Sequence, residues 1–99
     1  MESILAAVSG STGMASERIR SAEKARDVVA ARHLCVYLAT RSLGLSARAV
    51  CRSLRLSSPS VVAYARAAVE RRRLADPAFD QHVHALQARL EGAQRDFAW

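Results

Sequence analysis

Apolar residues recur at helical spacing along almost the whole chain, and this regularity restricts the fold more than any other feature. Near the end, for example, Phe79, Val83, Leu86 and Leu90 follow one another at intervals of three or four residues. No stretch alternates between apolar and polar residues with the period of two that is typical of a half-buried strand. The sequence therefore predicts an all-α fold of five to six helices in a single domain over residues 1–99.

Serine, glycine and proline residues set the limits of the predicted helices. Gly10 and Gly44 end two of them, because glycine readily adopts the left-handed conformation that closes a helix. Ser16 is placed to cap a short third one that runs through Ile19, and residues 20–26 form an exposed, charged connection. The predicted helices cover residues 2–9, 16–19, 27–43, 46–54, 58–73 and 77–95. The helix over 27–43 is apolar around most of its circumference, which is typical of a central helix packed by several neighbours.

Two of these helices form a recognisable unit. Ser46 is placed to cap the helix over 46–54, and Ser58 is placed to cap the next, with Pro59 at its first position. Proline is favoured there because its missing N–H has no partner to lose. Only three or four residues join the pair, which is the outline of a helix-turn-helix over residues 46–73. The second helix of such a unit enters the major groove of DNA, so the pattern indicates DNA binding.

The positive charge of the chain is concentrated in the same region. Fifteen Lys and Arg residues against nine Asp and Glu residues give a formal net charge of +6, and fourteen of the fifteen are arginine. Residues 1–27 and 70–99 are each neutral, whereas residues 28–69 hold six arginines and no acidic residue. Because neutralising phosphates supplies most non-specific DNA affinity, this excess favours duplex DNA as the partner. The alternative is a solvated arginine face with no binding role.

Other classes of protein find little support in the sequence. No apolar run approaches the roughly 20 residues that a membrane span needs, and the acidic second residue does not fit a signal peptide. Cys35 and Cys51 lie in apolar helical patterns and are predicted to be buried thiols, not a disulfide or metal pair. His82 and His84 point to nearly opposite sides of one helix and cannot share a metal. We therefore expect a cytoplasmic protein without catalytic residues, metal, cofactor or small-molecule ligand, and with no membrane partner.

The central helix and the residues after it carry a more specific pattern. The run Val28-Val29-Ala30-Ala31-Arg32-His33-Leu34-Cys35-Val36-Tyr37-Leu38-Ala39, followed by Leu45-Ser46, resembles the C-terminal DNA-binding domain of the bacterial replication initiator DnaA. That domain has an Ala-Arg-Gln…Met-Tyr-Leu-Ala…Leu-Ser helix before its helix-turn-helix. The similarity extends from about Ile4 to Leu90. It implies a Trp-repressor-like helix-turn-helix fold and a stand-alone, diverged relative of the domain.

The resemblance also implies roles for individual residues. In DnaA a basic loop before the long helix puts an arginine into the minor groove, and Lys24 matches that position, with Arg26 close by. Arg32 matches an arginine that contacts backbone phosphate. Ser46 and Arg48 match the start of the first helix-turn-helix helix, which also approaches phosphate.

The segment that contacts base edges in DnaA is different in this chain. The family has Gly-Gly-Arg-Asp-His-Thr-Thr-Val, whereas this chain has Arg55-Leu56-Ser57-Ser58-Pro59-Ser60-Val61-Val62. A serine hydroxyl suits many bases and Pro59 has no side-chain hydrogen-bonding group, so we expect recognition of the DnaA box to be lost or altered. Ser57, Ser58 and Ser60 are still predicted to contact phosphates or bases at the amino end of the recognition helix. Capping is the other role open to Ser58.

Two features near the recognition helix allow more than one interpretation. Tyr64 lies one turn beyond Ser60 and either contacts sugars or base methyl groups or is a half-buried surface residue. The basic run Arg71-Arg72-Arg73 is flanked by acidic residues and is predicted to be a solvated helix end, favoured by the helix dipole.

These observations lead to two hypotheses from different classes. The first is a nucleoid-associated DNA-binding protein with altered or relaxed sequence specificity, acting in the regulation of transcription or replication. The second is a protein-interaction module that has kept the fold but lost sequence-specific DNA binding. It would use the last helix with Phe97 and Trp99 for a partner protein or a homodimer.

Overall fold

Six helices, separated by short turns, make up the computed structural model, which describes the backbone of residues 1–97 and the side chains of residues 1–92. The helices are α1 (Glu2–Thr12), α2 (Ser16–Arg20), α3 (Arg26–Arg41), α4 (Ala47–Leu54), α5 (Ser60–Ala75) and α6 (Pro77–Phe97). No strand occurs within residues 1–97. The predicted all-α fold and the helix-turn-helix, formed by α4 and α5, are therefore confirmed.

Helix α3 lies at the centre of the fold, as its apolar circumference predicts. It packs against α1, α2, α4 and α5. Eight of its residues are buried, namely Val28, Ala31, Leu34, Cys35, Val36, Tyr37, Leu38 and Ala39. Since these positions surround the helix axis, α3 holds the helix-turn-helix on one side and the amino-terminal helices on the other.

Helix α6 closes the core on the side of α1 and α5. Its predicted apolar stripe is present, because Val83, Leu86 and Leu90 are all buried, while Phe79 is half-buried against the same cluster. The helix packs along α5 and also touches α1. Helices α1 and α6 therefore share one core with the helix-turn-helix.

The predicted end of the first helix was wrong. Helix α1 continues through Gly10 to Thr12 and ends at Gly13, which takes the left-handed conformation with φ 75° and ψ 7°. The Thr12 hydroxyl donates to the Val8 carbonyl at 2.7 Å, and the Gly13 N–H donates to the Ser9 carbonyl, so this cap satisfies a carbonyl of the last turn. The loop predicted at residues 10–13 is accordingly reduced to residues 13–15.

The predicted serine caps have mixed outcomes. Ser46 caps α4 as expected, since its hydroxyl accepts a hydrogen bond from the Ala49 N–H at 3.1 Å. Ser16 and Ser58 cap no helix: α2 begins at Ser16 itself, and α5 begins at Ser60 after Pro59. The Ser58 hydroxyl instead pairs with the Ser60 hydroxyl at 2.6 Å, so it is not directed at the backbone N–H groups of α5.

The two cysteines are free thiols in different environments. Cys35 on α3 is fully buried, whereas Cys51 on α4 is half-buried. Burial raises the pKa of the Cys35 thiol to about 12, so this thiol stays protonated at neutral pH.

Over the described part of the chain, no helix is both long enough and apolar enough to cross a membrane.

Candidate nucleic-acid interface

The turn of the helix-turn-helix begins with an unusual residue at the end of α4. Arg55 adopts the left-handed conformation, with φ 56° and ψ 42°, and within residues 1–97 it is the one non-glycine residue with positive φ. The Leu56 N–H donates to the Cys51 carbonyl, which is the longer hydrogen bond of a Schellman motif, and the Arg55 N–H donates to the same carbonyl, which is the bond of the simpler αL motif. Leu56 then packs against the core. The turn is thus fixed by backbone bonds at one end and by an apolar contact at the other.

The amino end of α5 presents a small hydroxyl cluster. Ser57 and Ser60 are exposed and Ser58 is half-buried. Pro59 lies in helical conformation, and the Val61 and Val62 N–H groups donate to the Ser58 and Pro59 carbonyls. The Ser58 and Ser60 hydroxyls lie 2.6 Å apart, and Ser57 precedes them in the turn, so the three serines lie at the amino end of α5, the part of a recognition helix that contacts base edges.

One turn further along α5, Tyr64 stands out from the surface. Its side chain is 64% exposed, and its ring meets that of His33 on α3 edge to face, with centroids 5.7 Å apart and planes at 72°. Burial, reinforced by the neighbouring Arg32 charge, lowers the pKa of His33. The neutral imidazole thus supports Tyr64 from below and leaves its outer surface accessible.

The basic loop before α3 is held in place by Arg32. The Arg32 Nε donates to the Ile19 carbonyl at 2.9 Å, and its Nη2 donates to the carbonyls of Ser21 and Glu23. Lys24 and Arg26, in contrast, are exposed. The structure therefore places Arg32 beneath the loop, with most of its guanidinium bonded internally, and Lys24 and Arg26 on the outside.

A second interaction supports the same loop from the α2 side. Arg18 forms an ion pair with Glu23 at 2.9 Å, and the hydrogen bond from Arg18 lowers the pKa of the Glu23 carboxyl. Because Arg32 and His33 are neighbours on α3, the contacts of this one turn connect the basic loop to Tyr64 on α5.

The predicted Ser46 and Arg48 lie elsewhere, at the start of α4, and both are exposed.

The arginines separate into paired and unpaired groups. The ion pairs of the described residues join Arg18 to Glu23, Arg20 to Glu2 and Arg73 to Asp80. The exposed arginines without an ion pair in that part of the chain include all four that lie between the end of α3 and the turn, namely Arg41, Arg48, Arg52 and Arg55. Sequence reasoning did not single out Arg52 and Arg55, although their spacing from Arg48 was visible.

The prediction of a solvated run at residues 71–73 was wrong for Arg73. Its Nε donates to Asp80 at 2.5 Å and its Nη1 to the Tyr37 hydroxyl at 2.9 Å, so it joins α5 to α6 and α3. Arg72 lies over the Phe79 ring, with the guanidinium carbon 3.9 Å from the centroid, which is a cation–π contact. Helix packing therefore uses two of the three arginines.

No group of three or more His, Cys, Asp and Glu side chains is arranged to hold a metal ion within the described residues. Leu74, near the end of α5, is 89% exposed. The predicted partner contacts through Phe97 and Trp99 lie outside the side chains that the structure describes.

Comparison with known proteins identifies a family for this chain. The family model described as the helix-turn-helix of the bacterial dnaA protein matches residues 1–69, which cover α1 to α4 and most of α5. No curated protein and no solved structure matches the chain significantly.

Proposed function

The chain belongs to the family of bacterial DnaA helix-turn-helix domains, and from this premise we propose that it binds duplex DNA with altered or relaxed sequence specificity. The observation that carries the proposal is the distribution of unpaired charge. Residues 28–69 contain no acidic residue, and the exposed arginines around α4 have no carboxylate partner among the described residues. A surface of this kind gains most when it displaces counterions from DNA phosphates.

The proposed binding mode follows the geometry of a helix-turn-helix. The amino end of α5 enters the major groove with Ser57, Ser58 and Ser60, while Ser46 and Arg48 contact backbone phosphates. The relaxed specificity rests on the chemistry of α5, whose exposed hydrogen-bonding groups near this end are hydroxyls. A hydroxyl donates and accepts, so it discriminates poorly between bases.

The basic loop completes the proposed contact. Lys24 and Arg26 lie over the adjacent minor groove, because the loop that carries them is connected through Arg32 and His33 to the outer face of α5. Arg32 was predicted to contact a phosphate. We now assign its main contribution to holding this loop, since its Nε and Nη2 donate to backbone carbonyls.

The biological role that fits this activity is the regulation of transcription or replication through occupancy of DNA in the bacterial nucleoid. The DnaA family supports a role at chromosomal DNA. Selection of bound sequences from a random duplex pool tests the specificity. Enrichment of a motif other than the DnaA box supports altered specificity, and recovery of unenriched DNA supports relaxed specificity. Enrichment of the DnaA box itself would contradict both.

Titration of a fluorescent random duplex at several salt concentrations tests the binding itself. With about four to six phosphate contacts, log Kobs should fall with log salt with a slope of about −4 to −5. Replacing Lys24 and Arg26 by glutamine should make the slope less steep by about 1.8. The matched control is R71Q/R89Q, which removes two exposed charges elsewhere. Absence of binding at low salt would refute the proposal, and an unchanged slope in K24Q/R26Q would show that the loop makes no contact.

A second candidate function, protein interaction, is favoured by Leu74. A leucine that is 89% exposed beside Pro77, in a cleft also lined by Tyr37 and Arg41, offers an apolar contact for a second copy of the chain. Sedimentation velocity over a range of concentrations tests this candidate. A dimer that the substitution L74A abolishes would support it, and a monomer at all concentrations would exclude a homodimer.

A further inference from the structure

The outward face of α4 carries a row of arginines. Arg48 and Arg52 are one helical turn apart, on the side of α4 opposite the buried Val50 and Leu54. Arg55 follows at the end of the helix, and all three side chains are exposed. We refer to Arg48, Arg52 and Arg55 as the α4 arginine stripe. Neighbours at this spacing lie roughly 6 Å apart at their Cβ atoms, so their like charges repel one another.

Nothing in the described structure relieves this repulsion. Helix α4 contains no acidic residue, and the acidic residues nearest to it in sequence are Asp27 and Glu70. The ion pairs of the described residues all involve other arginines. By contrast, Arg32, Arg72 and Arg73 have internal contacts that explain their presence. The stripe is therefore a surface that an external anion would stabilise.

The conformation of Arg55 is a second and independent indication. A left-handed residue after a helix is usually glycine, because a Cβ atom is disfavoured there. Arg55 occupies this position with φ 56°, although its backbone bonds to Cys51 would form equally well with glycine. Backbone strain of this kind is concentrated at functional positions. The arginine side chain is the feature that the strained position adds.

We propose that Arg52 and Arg55 extend the contact of Arg48, so that the stripe binds the phosphate backbone of the same duplex that receives α5. This proposal rests on the proposed DNA-binding function and adds two residues to it. The first helix of a helix-turn-helix crosses the DNA backbone, and guanidinium groups pair with phosphate oxygens in bidentate fashion. The stripe from Arg48 to Arg55 is about 10 Å long, at about 1.5 Å of rise per residue. Successive phosphates of one DNA strand are spaced about 3.4 Å apart along the DNA axis, so the stripe has the length of a few consecutive phosphates.

The salt dependence of DNA binding tests the stripe directly. The variant R52Q/R55N removes two charges, and asparagine tolerates the left-handed position of residue 55. We expect the slope of log Kobs against log salt to become less steep by about 1.8, and the affinity at 0.1 M salt to fall about 60-fold. The control R71Q/R89Q removes the same charge from exposed positions on α5 and α6 and should leave the slope unchanged. Circular dichroism verifies that both variants fold.

The outcomes separate this proposal from the proposed function. If the wild type binds DNA and R52Q/R55N has the slope of the wild type, the stripe proposal is overturned while DNA binding stands. If the wild type does not bind, the function itself fails. A second experiment measures how many duplexes each protein binds. It titrates the protein at stoichiometric concentrations with a duplex of about one helical turn, long enough for one site. One duplex per protein supports binding to the same duplex, whereas two duplexes per protein would assign the stripe to a second molecule and overturn the proposal.

Discussion

The two helices of the helix-turn-helix expose side chains of different chemical character. Helix α4 exposes Arg48 and Arg52, while the exposed residues in the first half of α5 are Ser60, Ala63 and Tyr64. In a typical helix-turn-helix, the second helix carries the hydrogen-bonding groups that discriminate between bases. The first helix crosses the DNA backbone and contacts few bases. Here the exposed charge next to the turn lies on the first helix, and the first half of the second helix exposes two hydroxyls and a small apolar group.

This difference separates affinity from specificity within one motif. In the proposed complex the arginines on α4 bind phosphates, which are the same in every sequence, whereas the groups on α5 discriminate weakly among bases. A helix-turn-helix of this composition should bind many duplexes with similar strength.

Detaching α4 should have the largest effect. Leu54, the last residue of α4, is almost completely buried. Within the described residues, α4 packs mainly against α3 and α5. We expect L54A to lower the free energy of unfolding by about 2–5 kcal/mol, because it leaves a cavity where the helix is anchored. Urea denaturation measures the change. The control L74A truncates a leucine that is 89% exposed and should change stability by less than about 0.5 kcal/mol. Similar losses in both variants would show that α4 is not anchored through Leu54.

Rebuilding the base-contacting segment of α5 should have the next largest effect. The triple variant S58D/P59H/S60T introduces the Asp-His-Thr sequence of the DnaA family, and each good base contact is worth about 1–3 kcal/mol of discrimination. We expect the preference for a DnaA box over a random duplex to rise by tenfold or more. Competition binding measures the ratio, with S58A/P59A/S60A as the control. An equal preference in both variants would show that the backbone of this turn also prevents base contact.

Removing the support of the basic loop should have a smaller effect. In R32A three backbone carbonyls lose a charged donor, and we expect the free energy of unfolding to fall by about 1–2 kcal/mol. R32K keeps the charge but cannot reach all three carbonyls, so it should recover only part of the stability. Thermal and urea denaturation measure both. If R32A is as stable as the wild type and instead makes the salt slope less steep by about 0.9, Arg32 is a phosphate contact and not a support.

Relieving the strain at Arg55 should have the smallest effect on stability, and in the opposite direction. Glycine removes the left-handed penalty but increases the entropy of the unfolded chain, so R55G should be about 0.5–1 kcal/mol more stable than the wild type. Its DNA affinity should nevertheless fall about eightfold at 0.1 M salt. Urea denaturation and DNA titration of the same preparation measure the two. A more stable variant with full affinity would separate the strain from the binding role.

Much of the fold could be predicted because its signals are local. The helix-turn-helix and the cap at Ser46 follow from spacing within a few residues, and Asp76 caps α6 through the Phe79 N–H as its Asp-Pro sequence indicates. The continuation of α1 past Gly10 was missed, because either glycine could have ended the helix and bonds back to Val8 favour the later one. A single glycine within a helix lowers helix stability only slightly, and the hydrogen bonds to Val8 offset this loss.

The side-chain roles that were missed depend on distant partners. Arg32 meets carbonyls up to 13 residues away, and Arg73 meets the hydroxyl of Tyr37, 36 residues away. Local sequence pattern contains no information about such contacts, so Arg73 was assigned to a solvated helix end, and the phosphate role of Arg32 came from the resemblance to DnaA. The positive φ of Arg55 was also missed, although a signal for it was present, because Arg55 occupies a glycine position of the DnaA signature and glycine there indicates a left-handed residue.

The packing of α6 has a consequence for how this protein can be divided. The match to the DnaA family ends at residue 69, yet α6 contributes Val83, Leu86 and Leu90 to the core and is tied to α5 through Arg73 and Asp80. A fragment that ends with the family match would uncover an apolar surface on α1 and α5 and should aggregate. Any chimera that transplants this helix-turn-helix into another protein must therefore include α6 as well.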